Sequence, residues 1–360
     1  MGYKLNFGKK MEFKVKKIIL IIYFFFYSKV KDCRFFLIYQ KFKLTTSINK
    51  RIFFVYDNNT SPCAYGDFMN MVMLANWCSV SKISTHFIVI ESIDNKINWP
   101  TFSESAIRDF LLFQERCLKH FGMDDIHFEK YTWTNFYLKF YNQKDKNNIA
   151  FRRQIFNKKM VVNHCFNILN LLAKKAPQKI IDLWVLKKSK LEKSNNFAKV
   201  GNYIAWNVRR TFNPSGALLA NNTEDQIIKI YSKLRLIYPD YKIIILSDQI
   251  GYEYVKLIAL KNDLDVSFSK EFPQNNSYLD DASVVLNSNF YFQFSGGGMS
   301  SISFFSNVNY LVFQKPGYEE KSFANGKLNW ATSGQIFVPL KEYSPNIDDY
   351  FSNDYLEKFS

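Results

Sequence analysis

Runs of apolar residues alternate with amphipathic stretches along the chain from residue 51 onward. The run Arg51–Tyr56 reads RIFFVY, which is typical of a parallel strand buried on both faces. Asp67–Val80 predicts a helix and Thr85–Glu91 a second strand. From Thr101 to Gly122 a capping-box pattern is followed by helical apolar spacing and a glycine stop, which predicts a further helix.

The middle of the chain predicts two helices, at about 148–175 and 178–193, followed by a polar linker at 194–196. His164 and Cys165 fall inside the first of these stretches. There we expect a packed pair in the core rather than a nucleophile or a metal ligand.

Residues 203–313 repeat the alternation of strands and helices more regularly. Such alternation indicates βαβ units and a parallel sheet, and two such sheets leave a cleft in which ligands commonly bind. The sequence therefore predicts an α/β protein with two Rossmann-like lobes that face each other across a cleft. The strands are expected at 203–208, 242–246, 266–268, 290–294 and 310–313, and the helices at 223–237, 252–260, 278–287 and 299–306.

The first 50 residues form a basic, apolar segment that we expect to be helical. The chain of 360 residues has a net charge of +16, and this segment contributes +10 of it, from twelve basic and two acidic residues. Its apolar run Ile18–Tyr27 would rise only about 15 Å as a helix, half of a bilayer core. Apolar patches between lysines suit an element on an anionic membrane surface. The alternative is an ordinary first helix that covers the core.

The composition excludes several classes of protein. With 47% hydrophobic residues the chain is not disordered. Because the positive charge is concentrated in the leading segment, and lysine far outnumbers arginine, we expect no nucleic acid as a partner. The five cysteines and four histidines are scattered, without the paired spacing of a disulfide framework or a zinc site, so we expect no metal.

A glycine cluster follows the predicted strand 290–294 and precedes a predicted helix. Glycines let a backbone approach a ligand closely, and a helix start offers N–H groups to a phosphate. We favour anion binding over the alternative of a tight turn without a ligand. The residues expected to take part are Ser295, Gly296, Gly297, Gly298, Ser300 and Ser301.

Two tandem arginines, Arg209 and Arg210, follow Asn207 at the carboxyl end of a predicted strand. That edge of a parallel sheet is where ligands bind, and the planar guanidinium grips phosphate in a bidentate manner. The other tandem pair, Arg152–Arg153, falls on a predicted solvated helix face, so we assign it no ligand.

Two acidic residues, like the arginines, come at or after the end of a predicted strand. Asp248 ends the stretch Ile243–Asp248 on the same sheet edge and either caps the next helix or binds a ligand hydroxyl. Asp67 follows Gly66 in the loop after the first strand, where it is either an N-cap or a general base facing the cleft. By contrast, the Asp-x-Asp at 263–265 links a helix end to a strand, and we expect a chance occurrence or a cap there rather than a cation site.

The stretch 203–313 resembles the nucleotide-sugar-binding lobe of α1,6- and O-fucosyltransferases, which have the two-lobed GT-B fold. Their signature His-x-Arg-Arg-Thr-Asp is matched by Asn207-Val208-Arg209-Arg210-Thr211-Phe212, with Asn207 in place of the histidine and Phe212 in place of the acid. The resemblance implies that Arg209 holds the diphosphate. It extends to Ser247-Asp248 and Phe294-Ser295. The Gly66-Asp67 loop is similar to that of heptosyltransferase-like enzymes, which implies that Asp67 is the base.

We therefore expect an inverting, metal-independent glycosyltransferase that uses a nucleoside-diphosphate sugar, with GDP as one possible nucleotide, and a glycan or glycolipid acceptor. We place it in the cytoplasm, peripheral on a membrane face. The alternatives are a membrane-surface or nucleic-acid-binding module without catalysis, and another nucleotide-sugar enzyme. The expected parts are a membrane-surface segment (1–50), an acceptor lobe (51–195), a nucleotide-sugar lobe (196–340) and a tail or helix (341–360).

Overall fold

The computed structural model contains two parallel β-sheets, each flanked by helices. The first sheet has five strands and the second has six, and every strand pair is parallel. This confirms the predicted α/β class with two lobes. The structure describes residues 37–48, 50–61, 64–91, 104–140, 149–152, 160–161, 165–187, 201–210, 221–272, 278–294, 299–314 and 328–339.

The first lobe follows a helix, α1, at 37–48. Its strand order is β3-β2-β1-β4-β5, so the most apolar strand is central. Its strands are β1 (Arg51–Asp57), β2 (Ser84–Ile90), β3 (Ile126–Tyr131), β4 (Ile149–Arg152) and β5 (Met160–Val161). Its helices are α2 (Tyr65–Val80), α3 (Glu104–His120), α4 (Trp133–Phe140), α5 (Cys165–Ala173) and α6 (Gln178–Trp184).

The second lobe has the strand order β11-β10-β9-β6-β7-β8. Its first helix begins with a complete capping box between Thr223 and Gln226. Its strands are β6 (Tyr203–Asn207), β7 (Lys242–Leu246), β8 (Ser267–Phe268), β9 (Phe290–Phe294), β10 (Tyr310–Gln314) and β11 (Gln335–Pro339). Its helices are α7 (Glu224–Ile237), α8 (Gln249–Lys261), α9 (Tyr278–Asn287) and α10 (Ser300–Phe304).

One hydrophobic core runs through both lobes. It contains the buried face of α2, residues of α5 and α6, and apolar residues of β6, β9 and α10. Trp184 lies at its centre and donates from Nε1 to the Met73 carbonyl oxygen at 2.8 Å. Its ring packs edge-on against Trp77 of the first lobe and Trp330 of the second. The outer faces of the sheets have separate cores, under α4 in one lobe and under α7 and α8 in the other.

The predicted helix at 148–175 is wrong over its first part. Residues 149–152 and 160–161 are strands β4 and β5, and a helix begins only at Cys165. The β4 segment is a short apolar run, which periodicity cannot distinguish from a helix. Pairing with central strand β1 decides its structure. Arg152 therefore ends a strand rather than lying on a helix face, whereas Arg153 and His164 lie outside the described residues.

Strand β3, helix α4 and strand β11 had no counterpart among the predicted elements. The leading run 18–27, the linker 194–196 and the tail 341–360 fall outside the described residues. None of the helices in the described part of the chain combines the length and apolar composition needed to cross a bilayer.

Candidate functional site

The carboxyl edge of the second sheet brings several predicted site residues together. Asn207 is the last residue of β6 and pairs with Leu246, the last residue of β7. On its other side Asn207 pairs with Gln293 of β9. Arg209 and Asp248 follow directly after β6 and β7, so the strand register places both at this edge.

The backbone at Arg209 is fixed by its neighbours. Its N–H donates to Asn222 Oδ1 at 3.4 Å, and the Asn222 N–H donates to the Arg209 carbonyl oxygen at 3.3 Å. The Ser247 hydroxyl donates to the Val208 carbonyl oxygen at 2.7 Å. The partly buried Arg209 guanidinium has no hydrogen bond or close ion pair within the described part of the chain.

Arg210 has a different environment. Its guanidinium lies 4.2 Å from the ring centroid of Tyr254 on α8, a cation–π contact. The tandem arginines therefore diverge: Arg210 packs on a helix, whereas Arg209 stays at the sheet edge. Of the two, Arg209 is the better placed to grip a ligand phosphate.

Asp248 is the N-cap of α8. Its Oδ1 accepts from the Gly251 N–H at 2.8 Å, so of its two predicted roles the cap is the one observed. Burial raises the pKa of its carboxyl group, and the Gly251 N–H together with the positive charges of Lys270 and Arg209 partly offsets this. Asp248 therefore also belongs to the electrostatic surroundings of Arg209.

A polar network that the sequence did not reveal adjoins this edge. The Asn207 side chain donates to the Tyr291 hydroxyl at 3.3 Å, and that hydroxyl donates to Gln293 Oε1. Gln293 Nε2 is buried and finds no acceptor among the described residues. Gln293 interrupts the apolar strand FYFQF, which is the one feature of the sequence that could have pointed to it.

Asp281, on α9, is a further acidic group near this network. Burial raises the pKa of its carboxyl group to about 6, and the positive charge of Lys270 partly offsets this. Burial, and to a smaller extent the negative charge of Asp281, raises the pKa of the Tyr291 hydroxyl. The edge thus carries both acidic and basic groups.

The first lobe meets this edge at the start of α2. The Tyr65 ring stacks on Tyr278 at the start of α9, with centroids 4.4 Å apart and an interplanar angle of 11°. Phe113 of α3 packs edge-on against the same Tyr278. Because α2 follows β1 and α9 follows β8, this contact joins the carboxyl edges of the two sheets.

Asp67 lies in the first turn of α2, close to this contact. Ala64 occupies the N-cap position, so the predicted alternative of an N-cap role for Asp67 is wrong. Its side chain is partly buried, and a carboxylate in a first helical turn is favoured by the helix dipole. Asp67 is therefore within one helical turn of Tyr65, whose ring contacts the second lobe.

The glycine cluster is only partly described. Ser295, Gly296, Gly297 and Gly298 lie outside the described residues, so their expected role stays a prediction. Ser300 and Ser301 begin the short helix α10, and the Ser300 carbonyl oxygen accepts from the Ser303 hydroxyl at 2.9 Å. In the Asp-x-Asp motif at 263–265, which lies apart from the glycine cluster in the sequence, Asp265 forms an ion pair with Arg235 at 2.7 Å.

No family model and no curated relative matches the chain. Among solved structures, the chain is similar to the E. coli heptosyltransferase WaaC with ADP, with 13% identity over 86% of this chain and 98% of that one and a TM-score of 0.40. It is similar to UDP-GlcNAc 2-epimerase from Neisseria meningitidis bound to UDP-GlcNAc (14% identity, 86% and 94% coverage, TM-score 0.38). It is also similar to POFUT1 in complex with GDP (8% identity, 70% and 93% coverage, TM-score 0.30).

Proteins of both kinds named by the sequence resemblance, a heptosyltransferase and a fucosyltransferase, are among these structures. The similarity is one of fold, with two lobes built on parallel sheets.

Proposed function

We propose that this protein is an inverting glycosyltransferase that transfers a sugar from a nucleoside-diphosphate sugar to a hydroxyl group of a glycan or glycolipid. One observation carries the proposal: Arg209 lies at the carboxyl edge of the second sheet, and the start of α2 with Asp67 approaches that edge from the first lobe. In the proposed site, Arg209 is the cation for the leaving group and Asp67 is the carboxylate for the acceptor, one from each lobe.

Arg209 binds the diphosphate of the donor. Its guanidinium is partly buried, has no partner within the described residues, and stands on a backbone held by Asn222 and Ser247. A planar cation in a fixed position forms charge-assisted hydrogen bonds with phosphate oxygens. The expected glycine cluster at 295–298 would add backbone N–H donors. These groups stabilise the charge that develops on the leaving diphosphate, so the reaction needs no metal ion.

Asp67 acts as the general base. It takes the proton of the acceptor hydroxyl while the hydroxyl oxygen forms a bond to the anomeric carbon. The bond from that carbon to the diphosphate oxygen breaks, and its electron pair leaves with the nucleoside diphosphate. Attack from the side opposite to the leaving group inverts the configuration.

Two substitutions test these roles. Arg209→Ala should weaken nucleoside-diphosphate binding about 10- to 100-fold because charge-assisted hydrogen bonds are lost. Asp67→Asn should lower turnover by a factor of about 10² to 10⁴ and leave donor binding unchanged. Calorimetric titration with GDP, UDP, ADP, CDP and dTDP would first identify the nucleotide, and sugar transfer would then be measured with that donor.

Matched controls separate these roles from general damage. Arg108→Ala removes an exposed arginine on α3, and Asp225→Asn changes an acidic residue in the first turn of α7. Neither should affect binding or turnover. Unchanged turnover in Asp67→Asn would show that Asp67 is not the general base. Binding of none of the five nucleotides would favour a non-catalytic module, and conversion of the free nucleotide sugar without an acceptor would favour another nucleotide-sugar enzyme.

We also infer that residues 1–50 hold the enzyme on an anionic membrane surface, on the cytoplasmic side. Helix α1 supports this inference because it buries Phe42 and Thr46 yet exposes three apolar residues on the opposite face. Leu37, Leu44 and Ile48 are 67%, 60% and 67% exposed, and their spacing of seven and four residues aligns them on one stripe. A surface location would bring the enzyme close to a lipid-linked acceptor.

A further inference from the structure

Two histidines that are far apart in the sequence are neighbours in the first sheet. His86 of β2 and His127 of β3 are register partners, and Glu129 follows two residues later on the same face of β3. The two imidazole rings lie 5.1 Å apart. One ligand atom from each of the three residues lies within 4.8 Å of the others. Parallel pairing has thus built a compact cluster of metal-ligating groups.

The surroundings of the cluster leave donor atoms available. His86 packs against the Phe53 ring, and its Nδ1 is buried without a hydrogen-bond partner among the described residues. His127 is well exposed, which gives an ion a path from solvent, and its Nε2 is 3.3 Å from Glu129 Oε1. The same Glu129 oxygen also pairs with Lys139 at 3.3 Å.

We propose that His86, His127 and Glu129 form a binding site for a divalent transition-metal ion of the zinc class. Two imidazole nitrogens and one carboxylate oxygen are ligands that Zn²⁺, Co²⁺ and Ni²⁺ accept, whereas Mg²⁺ and Ca²⁺ require mostly oxygen. Bonds of about 2.0 to 2.1 Å would require the ligand atoms to approach to roughly 3.4 Å. The three ligand atoms reach this separation when the exposed His127 side chain rotates and Lys139 releases Glu129.

The proposed metal site is separate from the junction where sugar transfer is proposed. His86 is the third residue of β2 and His127 the second of β3, so the cluster lies near the amino ends of these strands. The bound ion would tie edge strand β3 to β2 and play no part in the chemistry at the opposite edge. It is therefore compatible with metal-independent transfer.

Calorimetric titration of the full chain, first treated with EDTA, tests the site with ZnCl₂ and, for comparison, MgCl₂. We expect one Zn²⁺ per chain with micromolar or tighter affinity and no binding of Mg²⁺. His127→Ala should weaken Zn²⁺ binding at least 100-fold, and the fold should be retained because the His127 side chain is exposed. Lys139→Met should strengthen binding because it frees the Glu129 carboxylate. The control His120→Ala changes a histidine of α3 and should have no effect.

Titration with CoCl₂ identifies the ligand atoms. The visible spectrum of bound Co²⁺ should lack the charge-transfer band of a cysteine thiolate, because the site has only nitrogen and oxygen ligands. Absence of Zn²⁺ binding would overturn the proposal. So would binding that persists in His127→Ala, or a thiolate band in the Co²⁺ spectrum.

Discussion

Ser247 and Gly251 show how closely the residues beside the site are packed. A Cβ atom at Gly251 would overlap the Ser247 hydroxyl oxygen, which donates to the Val208 carbonyl oxygen next to Arg209. The glycine thus permits the contact that connects β6 to β7 at the proposed phosphate position.

We predict that Gly251→Ala lowers the free energy of unfolding by about 1 to 2 kcal/mol. Overpacking and the loss of the Ser247 hydrogen bond outweigh the gain of about 1 kcal/mol that alanine brings to a helix. In a Ser247→Ala background the overlap is gone, so the same change should be nearly neutral. Urea denaturation of the four proteins measures this coupling, and strictly additive effects would contradict it.

At the level of single residues, the sequence predicted that Asn207, Arg209 and Asp248 lie at one edge of the second sheet, as they do, but it did not assign every role. It left Asp248 between a cap and a ligand because an acid at that edge commonly takes either role, whereas in the structure α8 begins at Gln249 and Asp248 caps it. It gave no indication of Tyr291. The spacing of His86 and His127 in the sequence also did not indicate that they are neighbours, because only the strand register brings them together.

At the level of elements, long regular patterns were predictive and short ones were not. Strands β1, β6, β7 and β9 are apolar runs bounded by polar residues, and the predicted ranges agree with the structure within one residue. Strands β4 and β5 have four and two residues. They are too short for a periodicity of their own, so their structure depends on pairing, of β4 with β1 and of β5 with β4.

Helix α1 carries a prediction about membrane binding. Changing Leu37, Leu44 and Ile48 together to serine should weaken binding to phosphatidylserine-containing vesicles about 10- to 100-fold, because their apolar area no longer enters the interface. Vesicle flotation measures the bound fraction. The matched control changes three equally exposed leucines of α7 and α8, Leu236, Leu257 and Leu260, to serine. Equal losses in both triple variants, or none in either, would count against a role for α1.

At the level of the whole molecule, the two lobes are not independent units connected by a linker. The inner faces of both sheets share one core, and just beyond α6 the Leu186 N–H donates to the Phe305 carbonyl oxygen of the second lobe at 2.7 Å. The Tyr65–Tyr278 stack adds a contact at the sheet edges. This shared core fixes how the start of α2 lies against the start of α9, which neither lobe could do alone.

Trp184 should therefore control whether the lobes unfold together. It contacts both lobes, and Trp184→Ala should cost about 3 to 5 kcal/mol and remove most of the coupling between them. Hydrogen exchange of β1 and β6 amides at increasing denaturant should give one shared opening free energy in the unmodified protein and two different values in Trp184→Ala. The control Phe136→Ala creates a cavity in the outer core of the first lobe, and it should lower both values together. Separate opening of β1 and β6 in the unmodified protein would show that the shared core does not couple the lobes.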